Sequence, residues 1–184
     1  MSAERALAEK VLALDRALNE AGVAHAVGGA LALAYYGEPR VTVDVDFNLF
    51  VPASDFPEVA RLLRPLGVKT DAHEDEVVRD GQVRMWWGRN PVDLLFAYDP
   101  LHEAMKRATR DVDFGGEKIR ILAPEHLIVC KAVFGRRKDW LDIEQMLVGV
   151  GDLRSVEVFS WLEHIVGDEN QRLERLQELW DGTR

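Results

Sequence analysis

The sequence predicts an α+β fold: a small mixed sheet containing antiparallel pairs, flanked by helices and followed by a helical C-terminal part. Three observations carry this reading. Short segments of strand character recur between residues 23 and 122. Helical stripes alternate with them, the first formed by Leu7, Val11, Leu14 and Leu18. From Pro124 to the end the pattern is helical throughout. The expected division is therefore 1–122 for the sheet-bearing core and 123–184 for the helical part.

Taken in order, Ser2 is a plausible cap for the first helix and Gly22 ends it. A strand from Val23 to Val27 leads into a glycine pair, and Tyr35 to Pro39 closes the short helix that follows. The next strand runs to about Val51, with Val41, Val43 and Val45 on the face opposite Asp44 and Asp46, anchoring it in the core. Pro52 and Ser54 start a helix carrying Phe56, Val59, Leu62 and Leu63, which Pro65 and Gly67 stop. Three strand-like segments come next: Glu76 to Arg79, Val83 to Trp87 and Val92 to Tyr98. Turn chemistry at Asp80-Gly81 and Asn90-Pro91 makes the first two a hairpin. A helix from Leu101 and a strand from Lys118 to Leu122 complete the core. In the helical part Gly135, Gly151 and Gly167 are breaks, and Trp140, Trp161 and Trp180 are core anchors.

A chain of 184 residues with 47% hydrophobic content can bury a sizeable core. Its 23 basic and 32 acidic residues give a formal charge of −9, which does not attract nucleic acid as a whole. Any RNA contact needs a local basic patch, for which Lys106, Arg107 and Arg110, or Arg136, Arg137 and Lys138, are candidates; solvated helix ends explain both groups equally well. Cys130 is alone, so there is no disulfide framework, and its apolar neighbours make it an inert thiol. With no membrane-length apolar run and no leader pattern, the expectation is a soluble, cytoplasmic protein.

The chemistry concentrates between Val27 and Phe47, VGGALALAYYGEPRVTVDVDF. Asp44 and Asp46, one residue apart on a strand, point to the same face and put two carboxylates side by side. Two like charges that close need a cation, and hard oxygen ligands suit magnesium with water and substrate phosphates filling its other positions. Gly28 and Gly29 open a helix, where bare backbone lets a phosphate approach free amides. Each feature alone has a bland reading as turn chemistry or a solvated strand. Their order and spacing together are more demanding.

This arrangement resembles the polymerase β-type nucleotidyltransferase superfamily, whose signature is a glycine pair, a spacer and Asp-x-Asp, with a third acidic residue on a later strand. Asp93 in PVDLLFAY fits that third place: a lone carboxylate in an apolar strand is costly without a partner. Within the superfamily, Arg40-x-Thr42-x-Asp44-x-Asp46 and KAVFGRRKDWLDI, residues 131–143, look most like the AbiEii-type nucleotidyltransferase toxins. The resemblance implies a two-magnesium site on Asp44, Asp46 and Asp93. It also implies a nucleoside triphosphate bound by Gly28, Gly29, Arg40, Thr42 and Lys131, with Lys138 and Asp142 helping to close the pocket from the helical part. Gly29 stands where some members carry serine, so that hydroxyl contact to phosphate is missing.

Lys131 lies on or beside the apolar stripe of its helix, where an ammonium needs an anion. The resemblance supplies a triphosphate; a lysine whose stem merely covers the core is the equal alternative. Lys138 and Asp142, four residues apart, are also explained by a surface ion pair. The five histidines lack zinc-site spacing.

The leading expectation is an enzyme moving a nucleoside monophosphate to an acceptor hydroxyl with release of pyrophosphate, as a toxin acting on tRNA or other RNA ends and held in check by a cognate antitoxin. A small-molecule adenylyltransferase of the antibiotic-resistance kind uses the same residues and suits the acidic surface better. A catalytically silent nucleotidyltransferase-like binding module is the third reading, against which the three aspartates argue.

Overall fold

The computed structural model describes residues 6–183. They form two compact units: one of residues up to Leu31 together with Val41–Ile121, the other of Ala32–Arg40 together with the chain from Leu122 onward.

In the first unit, α1 (Leu7–Glu20) buries Val11, Leu14 and Leu18, as its stripe requires. The Ser2 cap falls outside the described residues; Ala6 precedes the helix, and its N–H donates to the Glu9 carboxylate at 3.2 Å. Strand β1 (His25–Val27) leads into α2 (Gly29–Leu33), and β2 (Val45–Pro52) and α3 (Phe56–Leu63) follow. Next come α4 (Glu74–Asp80), β3 (Gln82–Trp87), β4 (Asn90–Ala97), α5 (Pro100–Ala108), β5 (Arg110–Phe114) and β6 (Glu117–Ile121). Among the described residues the strands form a six-stranded mixed sheet in the order β3-β4-β2-β1-β6-β5. The β2·β4 and β1·β6 pairs are parallel, the others antiparallel. Val45, Phe47 and Leu49 of β2 and Val92, Leu94 and Phe96 of β4 are fully buried, so these two adjacent strands carry much of the core.

Three expectations are corrected. The segment from Glu76 to Arg79 is not a strand but part of α4. Glu74, Asp75 and Glu76 fill its first turn, where acidic side chains oppose the positive helix end, and Gly81 closes it in the left-handed region at φ 65°. The hairpin is β3–β4, turning after Trp87, and Asn90-Pro91 lies inside β4. The signature strand begins only at Val45: Val41 and Val43 are exposed rather than core. Among the described residues no neighbouring strand lines 41–44, because β1 pairing ends at Val27↔Phe47 and β4 pairing at Val45↔Val92. Strand β5 was not foreseen; Arg110, Asp111 and Asp113 make it a polar edge without an apolar alternation.

The second unit packs α6 (Pro124–Phe134), α7 (Arg137–Gly149), α8 (Ser155–Val166) and α9 (Gln171–Thr183). Leu127, Ile128, Ile143, Met146, Leu162 and Leu176 form its core, joined by Trp140 and Trp180; Trp161 is half-buried against His164. Burial pushes the Cys130 thiol up to about 12, which makes it inert. Among the described residues no helix is long and apolar enough to cross a membrane.

Candidate functional site

The site is built on register. Arg84 of β3 stands opposite Asp93 of β4, and Asp93 stands beside Asp46 of β2. The row continues to Gly28, whose N–H donates to the Asp46 carbonyl at 2.9 Å. Four chain segments thus bring a guanidinium, two carboxylates and the glycine pair into one line, with strand spacing of about 4.8 Å between neighbours. Asp44 lies two residues before Asp46, just ahead of the strand.

Gly29 shows why a glycine pair is needed. Its φ is +55°, and a Cβ there would lie 1.9 Å from Asp46 Oδ2. The carboxylate therefore occupies the space a side chain would take. The helix that Gly29 opens is only five residues long, so its dipole contributes little to an anion site.

The approach to Asp44 is held by two devices. Thr42 Oγ1 accepts from the Asp44 N–H at 3.1 Å, so this hydroxyl shapes the turn into Asp44. Asn90 Nδ2 donates to the Val43 carbonyl at 2.8 Å, while its Oδ1 accepts from Lys10 Nζ at 2.6 Å. The buried Lys10 ammonium also donates to the Trp87 carbonyl at 3.0 Å. A lysine on α1 thereby fixes the asparagine that fixes the peptide before Asp44.

Asp93 is not a lone carboxylate. Arg84 Nε and its terminal NH2 donate to the two Asp93 oxygens at 2.8 and 2.7 Å, a bidentate fork. The hydrogen bond to Asp93 raises the Arg84 pKa; burial opposes this, and the fields of Asp93, Asp44 and Asp46 add to it. Among the described residues no three His, Cys, Asp or Glu side chains are gathered tightly enough to hold a metal ion as they stand. The donor set still suits one: aligned carboxylates on adjacent strands are hard oxygen ligands.

In the second unit Asp142 is buried and accepts from Lys131 Nζ at 2.5 Å and from Arg40 Nε and NH2 at 3.1 and 3.2 Å. This corrects the surface pair of Lys138 with Asp142. Lys138 is exposed, while Asp142 faces inward with Ile143 and Met146 toward Lys131 of α6. Two cations on one carboxylate leave a net positive centre. A cavity of about 620 Å³ in the same unit is lined by Tyr35, Glu38, Leu141, Glu144 and Val148 among others, and none of the candidate residues lines it.

The basic segments supply no built patch: Lys106 and Arg107 end α5 exposed, and Arg136 is engaged by Asp139 at 2.7 Å. Arg84, Asn90 and Lys10 were missed by sequence reasoning. Arg84 had a usable signal, since alternation in QVRMWW puts it on the polar face of a strand that can pair with PVDLLFAY.

No protein-family model matches the chain, and no curated protein matches it. Solved structures do. An antigenic nucleotidyltransferase-like protein from Paracoccidioides brasiliensis aligns with a TM-score of 0.57 at 20% identity, covering 96% of this chain and 93% of that one. The lincosamide antibiotic adenylyltransferase LnuA, in its lincomycin-bound form, aligns at 0.54 with 10% identity over 75% of this chain and 94% of its own. The antibiotic-resistance factor ANT(2'')-Ia gives 0.52 at 17% identity over 96% and 88%. The fold is nucleotidyltransferase-like.

Proposed function

We propose that this protein is a metal-dependent nucleotidyltransferase that transfers a nucleoside monophosphate from a nucleoside triphosphate to an acceptor hydroxyl. The observation that carries the reading is the alignment of Asp46 with Asp93 on adjacent strands, two residues from Asp44 and against the glycine pair. A magnesium ion or ion pair bound there would neutralise triphosphate charge and acidify the acceptor hydroxyl. Asp44, Asp46 and Asp93 hold the carboxylate face, with Gly29 giving the Asp46 carboxylate its space and the bare backbone of Gly28 and Gly29 offered to the phosphates. Asp93 helps take the proton of the acceptor hydroxyl as the hydroxyl oxygen bonds the α-phosphorus, and the bond to pyrophosphate breaks. Lys131, with Arg40, is the cationic centre of the second unit and our candidate for the departing phosphates, with Thr42, Lys138 and Asp142 in supporting places.

The acceptor we favour is an RNA end such as that of tRNA, and the biological role an AbiEii-like toxin with a cognate antitoxin, on the strength of residues 131–143. A small cationic acceptor is the second reading, favoured by the charge of −9. Incubation with each α-labelled nucleoside triphosphate and magnesium, against total RNA in one set and an aminoglycoside panel in another, tests both. Label appearing on RNA and lost in Asp46→Ala supports the first reading; label on the antibiotic alone replaces it with the second. No transfer to either acceptor, with intact protein, counts against the nucleotidyltransferase proposal.

A further inference from the structure

Arg84 has no task in the chemistry proposed above, yet it grips a carboxylate that chemistry needs. Its fork engages both oxygens of Asp93, at 2.8 and 2.7 Å. It also lies in the field of Asp44 and Asp46, whose charges add to the hold on its proton. An ion that reaches Asp93 must therefore displace the fork or share the carboxylate with a positive group in contact with it. Like charges that close repel strongly enough, at a partly solvated site, to weaken binding severalfold. A nucleoside triphosphate changes the balance. Its phosphate oxygens add ligands to the ion, and its negative charge gives Arg84 another partner.

We propose that Arg84 competes with the divalent ion for Asp93, so that the site takes its ion together with the nucleoside triphosphate rather than ahead of it. The inference rests on the nucleotidyltransferase reading, and it assigns Arg84 a positioning role: it holds Asp93 in place until nucleotide and ion arrive. Asp46 and Asp93 stand side by side on adjacent strands, where their charges repel, so the guanidinium also relieves that repulsion. Its side chain is 54% exposed, so replacing it removes little packing.

The test is Mn2+ titration of the full chain by calorimetry, with and without the four α,β-methylene nucleoside triphosphates. Wild-type protein should bind Mn2+ weakly alone and tightly with the matching analogue. Arg84→Met should bind Mn2+ alone at least about fivefold more tightly, with correspondingly less gain from nucleotide. Arg84→Lys, which keeps the charge but loses the fork, should fall between them and guards against a misfolded methionine variant. Mn2+ affinity in Arg84→Met equal to or below wild type overturns the proposal. Asp46→Asn separates the two readings. If it abolishes Mn2+ binding while Arg84→Met changes nothing, only the role of Arg84 falls. If wild type and Asp46→Asn bind Mn2+ alike, the metal site falls and Arg84 with it.

Discussion

Gly29 and Asp46 are mutually exclusive with a side chain between them: the Asp46 Oδ2 lies where the Gly29 Cβ would be, 1.9 Å from it. The glycine thus serves the carboxylate as much as the backbone. Gly29→Ala must push the Asp46 carboxylate out of line and strain a residue at φ +55°. The expected result is a stability loss of about 1–3 kcal/mol in urea unfolding and loss of nearly all transfer activity. Near-wild-type turnover in a folded Gly29→Ala protein would remove Asp46 from the proposed chemistry.

Lys131 and Asp142 make the corresponding prediction for the helical unit. Their ion pair is buried, with side-chain exposures of 5% and 4%. Removing one partner of a buried pair commonly costs about 3–5 kcal/mol, and here Arg40 softens the loss because it also neutralises Asp142. Lys131→Met should therefore cost about 2–3 kcal/mol, and its double-mutant cycle with Asp142→Asn should show coupling above about 1 kcal/mol. Nucleotide affinity measured in Lys131→Met below its melting range then reads the triphosphate role separately, and an unchanged affinity would withdraw Lys131 from the site.

The fold class and the carboxylate face were legible because both rest on local pattern. The glycine pair, Asp-x-Asp and the lone Asp93 are visible without tertiary information, and register then aligns Asp46 with Asp93. What escaped was set by partners distant in sequence. Arg84 and Asp93 lie nine residues apart, Lys10 and Asn90 eighty, and Arg40 and Asp142 one hundred and two. The error at α4 had a different source: Glu76 to Arg79 reads as a strand in sequence, while the acidic first turn and Gly81 decide for a helix. Val43 misled for a third reason, since alternation continued in sequence past the point where neighbouring strands stop.

Asn90 joins Lys10 to the peptide before Asp44 through two hydrogen bonds, at 2.6 and 2.8 Å. Asn90→Ala deprives a buried ammonium of one acceptor and the Val43 carbonyl of its donor, at a cost of about 1–3 kcal/mol in urea unfolding. Because the Val43–Asp44 segment loses its tether, Mn2+ affinity in the presence of nucleotide should fall severalfold as well. A stability loss with unchanged Mn2+ affinity would confine Asn90 to folding.

His126 supplies the pH dependence. Its side chain is fully buried in the helical unit, and neither ring nitrogen has a hydrogen bond among the described residues; Glu157 Oε1 approaches Nε2 at 3.2 Å without hydrogen-bond geometry. Burial lowers its pKa to about 4, with Glu125 opposing the shift and Arg154 assisting it. The folded state thus disfavours the imidazolium, while the unfolded chain protonates near the ordinary value of about 6.5. A folded pKa below the unfolded one means the unfolded state binds the extra proton first. Stability is therefore full above about pH 6.5 and declines as pH falls toward 4, by up to about 3 kcal/mol from this group alone. Urea unfolding at pH 7.5, 6, 5 and 4.5 should trace that decline in wild type. His126→Leu, which fills the site without titrating, should flatten it over this range, leaving the steeper acid loss of the carboxylates below. An equal slope in both proteins between pH 6.5 and 4.5 would mean that His126 is protonated as readily folded as unfolded, and that the charge of Glu157 or Glu125 outweighs burial.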